Sequence, residues 1–298
     1  MDVACRLTVP DGAVIGYRRW RPGPPRRLLA LLHGLASNLT RWSEFVARTG
    51  LGATWDIIRP DLRGYGTSLR RGRISMDVWC ADLAAILDRE ARAGVVLAGH
   101  CLGANLAAEF ALRHPGQAAG LVLIEPMFAE ALAGPLRRAA ALRPVLGPAV
   151  FVIRALNALG LHRRRLRPLD LAALDRETRA AMAASADDTL RRRYASPWAD
   201  LAVTPAAVYA QSLIAVSRGL PDLSGLRVPV LALLSTGGAL SDPAITARGS
   251  PSCPTVGSST WTPVTGSRPS GPRRCGRPSR RGAGLSPALD QPESGMVY

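Results

Sequence analysis

The chain has 298 residues, of which 47% are hydrophobic and 20% charged. It is therefore long enough to bury one substantial core and too apolar on average to be disordered throughout. The formal net charge is +16, but every basic residue is arginine, which indicates a GC-rich bacterial gene more than an anionic partner. Because the arginines are dispersed and few aromatic residues lie between them, the composition also argues against a nucleic-acid partner.

The cysteines and the N-terminal segment indicate a cytoplasmic protein without metal. Five cysteines at irregular spacing, an odd number, fit neither a disulfide framework nor a zinc site. The N-terminal "MDVACRLTVP" lacks the apolar core of a signal peptide. No stretch reaches 18 uninterrupted apolar residues, so we expect no membrane span.

Residues 1–126 alternate between strand and helix patterns. The stretch 5–20 predicts two strands joined by a turn at Asp11-Gly12. Continuous apolar runs predict buried strands at 26–34, 55–61, 94–100 and 120–126. Helices are predicted between them at 42–51, 76–93 and 102–113, the second with Trp79, Leu83, Ile86 and Leu87 on one face. This alternation predicts an α/β fold with a mostly parallel, doubly wound sheet.

The rest of the chain divides into three further parts. Residues 127–222 are rich in alanine, leucine and arginine and are broken by prolines, which predicts a helical insertion that could cover the sheet as a lid. Residues 223–248 return to the core, with a strand at 226–235. Half of the residues in 249–298 are glycine, proline or serine, so we expect a disordered C-terminal tail.

Three motifs occur in a recognisable order. They are "LLHGLAS" at 31–37, "DLRGYGTS" at 61–68 and "GHCLG" at 99–103. On these motifs the chain resembles the α/β-hydrolase fold family over about residues 5–248. The resemblance implies an enzyme that cleaves an ester, thioester or other acyl bond in a small-molecule substrate, without a cofactor.

The third motif has the form of the strand-to-helix turn on which this family carries its nucleophile. The resemblance implies that Cys101 is the nucleophile, where the family usually has serine, and that the main-chain N–H groups of Leu35 and Leu102 form the oxyanion hole. Such a turn is expected to present its side chain strained and exposed at a helix N-terminus, which favours a thiolate. The alternative is a small buried cysteine in a retained turn.

Two carboxylates are candidates for the acid of a catalytic triad. Asp242 follows the strand at 226–235, at about the position that the family uses, and is the preferred candidate. Glu125 directly follows the strand at 120–126 and is the alternative. Either residue could instead be a solvated loop carboxylate. We expect Asp61 and Arg63 to pin a loop and not to contact substrate.

The histidine base of the family has no counterpart here. It should follow the acid, but the four histidines of this sequence all precede Asp242. We expect His33 and His100 to be structural. The sequence therefore indicates a hydrolase whose triad is incomplete and whose activity is impaired. The alternatives are a non-catalytic protein that binds a hydrophobic small molecule on the same scaffold, and a binder of anionic surfaces through its arginines. Nothing in the sequence indicates an oligomeric state.

A frameshift near codon 249 would explain both the tail and the missing histidine. With suitable codons, "TWTPVT" (260–265) read two bases later permits Leu-Asp-Ala-Gly-His, which is similar to the family's approach to its histidine. Residues 272–281 likewise permit a final amphipathic helix. Sequencing of the gene is expected to reveal a shifted open frame with a histidine near codon 264. Stop codons that close this frame would contradict the hypothesis.

Overall fold

The computed structural model describes residues 2–90, 94–184, 197–235, 241–242, 244–246 and 259–261. The strands are β1 (Asp2–Thr8), β2 (Val14–Trp20), β3 (Arg27–Leu32), β4 (Trp55–Pro60), β5 (Val95–His100), β6 (Ala118–Ile124), β7 (Val230–Ser235) and β8 (Ser259–Trp261). The helices are α1 (Ser43–Arg48), α2 (Met76–Arg89), α3 (Leu102–Arg113), α4 (Gly134–Ala141), α5 (Arg143–Ala158), α6 (Leu171–Ala184), α7 (Pro197–Val203) and α8 (Ala206–Ser217).

The strands form one mixed sheet in the order β1-β2-β4-β3-β5-β6-β7-β8. β1 and β2 form an antiparallel hairpin, and β2 also runs antiparallel to β4. Every other neighbouring pair of strands is parallel. The predicted α/β fold with a mostly parallel sheet is therefore confirmed.

Strand β3 illustrates why the sheet is covered on both faces. Five of its six residues are buried, and successive side chains of a strand point to opposite faces. Accordingly Leu28, Ala30 and Leu32 join one hydrophobic cluster, whereas Leu29 and Leu31 join another. A continuous apolar run is what a strand between two helical layers requires.

Helices α2 and α3 pack against the same face of the sheet. Ser75 caps the N-terminus of α2 by accepting a hydrogen bond from the Val78 N–H, and the helix buries the apolar face predicted from its periodicity. α3 has the bounds predicted from sequence and is buried along most of its length. The first turn of α3 is thereby held firmly against β5.

The helix predicted at 42–51 is shorter than its apolar pattern indicates. α1 ends at Arg48, because Thr49 has extended backbone dihedrals and its hydroxyl accepts a hydrogen bond from the Leu51 N–H. A 3-10 turn, Gly50–Ala53, follows. Likewise α2 ends at Arg89, short of the predicted residue 93, and residues 91–93 lie outside the described ranges.

The segment between β6 and β7 is helical where the structure describes it. It contains α4 to α8, and no β-strand occurs in its described residues. No single helix among the described residues is long and apolar enough to cross a membrane, although α4 and α5 would qualify together across a bend of 77°. An isolated bridge between Leu132 and Ser241 links the start of this segment to the chain after β7.

The C-terminal tail is described at only three residues. Ser259–Trp261 form β8, which pairs in parallel with β7. At these residues the structure differs from the expected disorder, because a polar segment can still satisfy its main-chain groups along an open sheet edge. The rest of the predicted tail, 249–258 and 262–298, lies outside the described residues.

An ion-pair cluster ties the second motif to the sheet and to α2. The Arg63 guanidinium donates to both carboxylate oxygens of Asp82 and to Asp11 in the turn between β1 and β2. The Arg63 and Asp82 side chains are only 6% and 7% exposed. Burial raises the pKa of Asp82, while the bonds from Arg63 oppose that shift. Arg63 therefore pins a loop, as predicted from sequence.

Replacement of Arg63 should destabilise the fold. In Arg63→Leu the buried Asp82 carboxylate loses its partner, and we expect the free energy of unfolding to fall by about 3–5 kcal/mol. Urea unfolding measures this loss. The control is Arg113→Leu, which removes surface pairs with Asp77 and Glu109 and should cost about 1 kcal/mol or less. Equal losses in the two variants would contradict the assignment, and adding Asp82→Leu to Arg63→Leu should restore part of the stability.

Candidate active site

Cys101 lies at a sharp turn between β5 and α3. Its backbone dihedrals are φ 52° and ψ −113°, a conformation that a residue with a side chain rarely adopts. A Cβ atom on Gly99 would overlap the main chain at Gly103, and one on Gly103 would overlap the Leu32 carbonyl oxygen of β3. The two glycines therefore allow helix and sheet to approach closely, and the strained turn predicted from sequence is present.

The Cys101 side chain is buried, contrary to the expectation that it is exposed. The residue is only 6% exposed and belongs to the main hydrophobic cluster. Burial raises the pKa of its thiol to about 11, against the opposing effect of two main-chain hydrogen bonds. The N-terminal end of a helix favours a thiolate, but here desolvation of the charged sulfur has the larger effect. At neutral pH the group is a thiol.

The two main-chain N–H groups that contact Cys101 belong to Leu35 and Leu102. They belong to two separate segments, because Leu102 begins α3 and Leu35 lies in the loop after β3. The loop adopts an unusual conformation at Ala36, which has a φ of 48°. Two convergent N–H donors beside a nucleophile are the arrangement that stabilises an oxyanion in acyl transfer.

His33 holds the loop after β3 in position. Its Nδ1–H donates to the Gly34 carbonyl oxygen at 2.9 Å, and its Nε2 accepts from the Leu62 N–H at 3.0 Å. Burial lowers the pKa of the ring, so it stays neutral. Since both ring nitrogens are engaged, His33 is structural, as predicted.

Asp61 also holds the loop after β3, through hydrogen bonds to its carboxylate. Its carboxylate accepts hydrogen bonds from the N–H of Leu39 and from both the N–H and the hydroxyl of Thr67, each at 2.7 Å. One aspartate thus joins the loop after β3 to the loop after β4. This confirms the expectation that Asp61 pins a loop.

The other three histidines occupy separate positions. His100 ends β5, and burial together with the charge of Arg41 lowers its pKa to about 3, so the ring is neutral at physiological pH. His114 follows α3 and stacks on Phe110, at the end of the helix remote from Cys101. His162 lies after α5 in the helical segment.

The two candidate carboxylates have different surroundings. Glu125 follows β6, whose last residue pairs with the last residue of β5, so Glu125 and Cys101 emerge from neighbouring strand ends. The negative charge of Glu125 contributes to the raised pKa of the Cys101 thiol. Glu125 also has a positive φ of 48°. The alternative carboxylate is therefore close enough to influence the sulfur electrostatically.

Asp242, the preferred carboxylate of the sequence analysis, is exposed and caps a helical turn. Its Oδ1 accepts hydrogen bonds from the N–H groups of Ala244 and Ile245, and its own N–H donates to the Ala131 carbonyl oxygen. These contacts give the side chain a local structural role. Residues 236–240, which connect it to β7, lie outside the described ranges.

The helical segment is attached to the loop after β3 by long-range polar contacts that the sequence did not predict. Arg41 and Asp175 form an ion pair at 3.0 Å, with side chains 12% and 9% exposed. The Asn38 side-chain amide donates to the Leu169 carbonyl oxygen at 2.8 Å. Partners more than 130 residues apart in sequence leave no local pattern from which these contacts could be predicted.

Tyr65 connects α8 of the helical segment to His33. Its hydroxyl donates to Ser212 of α8 at 2.6 Å, and its ring meets the edge of His33 at 5.3 Å between centroids. Tyr65 lies between the two glycines of the second motif. The motif by itself does not predict the contact with α8, because the two partners are far apart in the sequence.

One open cavity lies away from Cys101. A cavity of about 630 Å³ is lined by Trp20, Arg59 and residues of α1, and none of the candidate site residues line it. In the described part of the chain, no group of three or more His, Cys, Asp or Glu residues is arranged to hold a metal ion.

Comparison with known proteins agrees with this geometry. A family model described as serine aminopeptidase, S33, matches residues 23–250. Lipase LipV of Mycobacterium tuberculosis is 32% identical over 112 residues, or 38% of this chain and 41% of that protein. Human monoglyceride lipase is 30% identical over 128 residues, or 41% of this chain and 42% of that protein. The chain thus matches only about two fifths of the length of these relatives.

Solved structures match over a larger part of the chain. A hydrolase from Pseudomonas aeruginosa has a TM-score of 0.57 at 20% identity, covering 88% of this chain and 90% of that one. A thioesterase domain from the curacin biosynthetic pathway has a TM-score of 0.60 at 16% identity, covering 88% and 94%. At these identities the likeness establishes the shared fold.

The burial of Cys101 leads to a testable order of reactivity. At pH 7 we expect iodoacetamide to alkylate the half-buried Cys5 faster than Cys101, because Cys101 is a buried thiol with a raised pKa. Between pH 7 and pH 10 the Cys101 rate should rise about tenfold per pH unit, since the thiolate fraction does so below the pKa. Peptide mapping by mass spectrometry measures both rates, with urea-unfolded protein as the control. Faster labelling of Cys101 than of Cys5 at pH 7 would contradict the burial.

Proposed function

The chain belongs to the serine aminopeptidase S33 family of α/β-hydrolases, and from this premise we propose that it acts on an ester, thioester or other acyl bond through Cys101. The observation that carries the proposal is the convergence of the Leu35 and Leu102 N–H groups on the Cys101 sulfur at a strained strand-to-helix turn. A buried cysteine with a packing role alone would require neither the strain nor the paired donors.

The proposed reaction begins with attack of the Cys101 thiolate on the carbonyl carbon. The sulfur–carbon bond forms while the carbonyl electron pair moves to oxygen, where the N–H groups of Leu35 and Leu102 stabilise the negative charge. Collapse of this intermediate breaks the bond to the leaving group, which departs as an alkoxide or thiolate and takes a proton from water. An acyl thioester remains on Cys101. Water must then cleave this thioester to release the acid.

Both steps are expected to be slow in this chain. The thiol is protonated at neutral pH because its pKa is raised to about 11, and the sequence has no histidine after β7, where the family has its base. The same lack of a base leaves the hydrolytic water unactivated. General-base assistance contributes about 10²–10⁴-fold to such steps, so we propose that acylation is slow and deacylation slower still.

Of the two candidate acids, we favour Glu125 over Asp242. Glu125 influences the Cys101 sulfur electrostatically, whereas the Asp242 carboxylate is occupied with the N–H groups of Ala244 and Ile245. In a complete triad the acid orients an imidazolium. In this structure the negative charge of Glu125 raises the pKa of Cys101 and so disfavours the thiolate.

The second candidate function is binding of a hydrophobic small molecule without turnover. The observation that favours it is the protonated, buried state of Cys101, which leaves the site without a nucleophile at neutral pH. Such a protein would retain ligand and release no product.

A chromogenic ester distinguishes these functions. With p-nitrophenyl acetate we expect at most one equivalent of p-nitrophenol per chain, followed by a stall, because the acyl thioester forms but is not hydrolysed. The rate of this burst should rise with pH towards about 11, as the thiolate fraction increases. Mass spectrometry should find the acetyl group on Cys101.

Matched variants test the assignment of the burst. Cys101→Ala should abolish it, while Cys5→Ala, which removes the more accessible thiol, should leave it unchanged. Restoration of the shifted reading frame near codon 249 should convert the burst into sustained turnover. Sustained turnover by the present chain that depends on Cys101 would overturn the proposal, and the absence of any burst would favour the binding protein.

A further inference from the structure

Helix α5 presents a continuous apolar surface to solvent. We call this surface the apolar lid face, and its members are all at least 41% exposed: Leu142, Val145, Phe151, Val152, Leu156, Leu159 and Leu161. Phe151 and Leu159 are 72% and 75% exposed. Single exposed apolar residues are ordinary on a protein surface, but seven on one helix and its ends form a patch of the kind that marks an interaction site.

The spacing of four of these residues places them on one side of the helix, and Phe151 lies about 100° around the helix from Val152. Val145, Val152, Leu156 and Leu159 are separated by seven, four and three positions, which is the period of a helical stripe. The opposite side contains the buried Val150, and α5 packs there against α8. Thus α5 has two apolar sides, of which one builds the lid and the other is exposed.

Arginines flank the apolar lid face in the sequence. Residues 134–169 contain eight arginines and no acidic residue. Seven of these arginines are exposed: Arg137, Arg138, Arg143, Arg163, Arg164, Arg165 and Arg167. Arg143 precedes the exposed apolar residues of α5, and the cluster 163–165 follows them. The eighth, Arg154, is half-buried on the side of the helix away from the stripe.

An exposed tryptophan lies on a helix attached to this arginine cluster. Trp198 of α7 is 81% exposed. α7 is joined to the cluster because Arg163 donates to the Leu201 carbonyl oxygen and the Arg167 N–H donates to that of Ala202. Tryptophan is enriched at the boundary between lipid and water, where its ring can meet both environments.

We propose that the apolar lid face docks on the surface of an anionic lipid bilayer, with α5 parallel to the membrane plane. A helix with one apolar side and flanking arginines has the pattern of an interfacial helix, and the arginines match the negative headgroups. A protein partner is less suited to this face, because the four residues of the stripe are all apolar and the charged residues beside it are all positive. This proposal goes beyond the proposed function and does not depend on Cys101.

Vesicle co-sedimentation of the full chain tests the proposal. The probes are vesicles of phosphatidylcholine alone and of phosphatidylcholine with phosphatidylglycerol in a ratio of about three to one. We expect binding to the anionic vesicles, at least tenfold weaker binding to the neutral ones, and weakening as salt is raised, since each arginine near a charged surface contributes a screened attraction.

Charge-matched variants test the face itself. The pair Phe151→Glu and Leu159→Glu should reduce the vesicle partition coefficient at least tenfold, because two large apolar side chains are lost from the docking face. The control pair Leu51→Glu and Leu69→Glu alters exposed apolar residues elsewhere. It adds the same two negative charges to the protein, so it should change binding less than twofold. If Phe151→Glu with Leu159→Glu lowers the melting temperature, serine is used instead of glutamate in both the test pair and the control pair.

The arginine cluster is tested in the same way. Arg164→Gln with Arg165→Gln should weaken binding to anionic vesicles about tenfold or more, whereas Arg6→Gln with Arg218→Gln should change it less than twofold. Equal losses in both pairs would mean that net charge alone attracts the protein, and would overturn the proposal. It would also be overturned if the chain were a dimer in vesicle-free buffer that Phe151→Glu dissociates, because the face would then be a contact between two copies.

Discussion

The site depends on the close approach of the first turn of α3 to strands β3 and β5. Only glycine at positions 99 and 103 permits this approach, since any larger residue would overlap main-chain atoms of the helix or of β3. The resulting turn forces Cys101 into a positive φ and aims its sulfur at the N–H groups of Leu35 and Leu102. The strain is sustained because the rest of α3 is buried and cannot move away.

Opposing contributions set the pKa of the Cys101 thiol, and those that raise it are the larger. The helix N-terminus and two main-chain donors favour the thiolate, while desolvation and the charge of Glu125 oppose it. The outcome is a pKa above the ordinary value. In a hydrolase with a histidine base, proton transfer to the imidazole would overcome this barrier at the moment of attack. Here both histidines within the motifs have neutral rings, because desolvation lowers the pKa of His33 and of His100. His33 holds the loop after β3 through its two ring nitrogens.

The helical segment combines an inner and an outer surface of different character. On the inside it is attached by polar contacts, among them the pair Arg41–Asp175 and the hydrogen bond from Tyr65 to Ser212. On the outside α5 exposes an apolar stripe between arginines. Buried polar contacts specify a single docked position, because an unpaired polar group away from water is costly. The four residues of the outer stripe are instead exposed in the part of the chain that the structure describes.

The sequence alone determined the local features: the strands and helices of the core, the strained turn at 99–103, and the loop-pinning roles of Asp61 and Arg63. These follow from short-range patterns, since apolar runs, helical periodicity and glycine spacing act within a few residues. Burial of Cys101 could not be inferred in the same way. Local geometry predicted an exposed side chain, but the packing of distant elements decided its desolvation and hence its charge. The relation of Glu125 to Cys101 likewise arises only when β5 and β6 pair in register, which brings residues 24 positions apart to neighbouring strand ends.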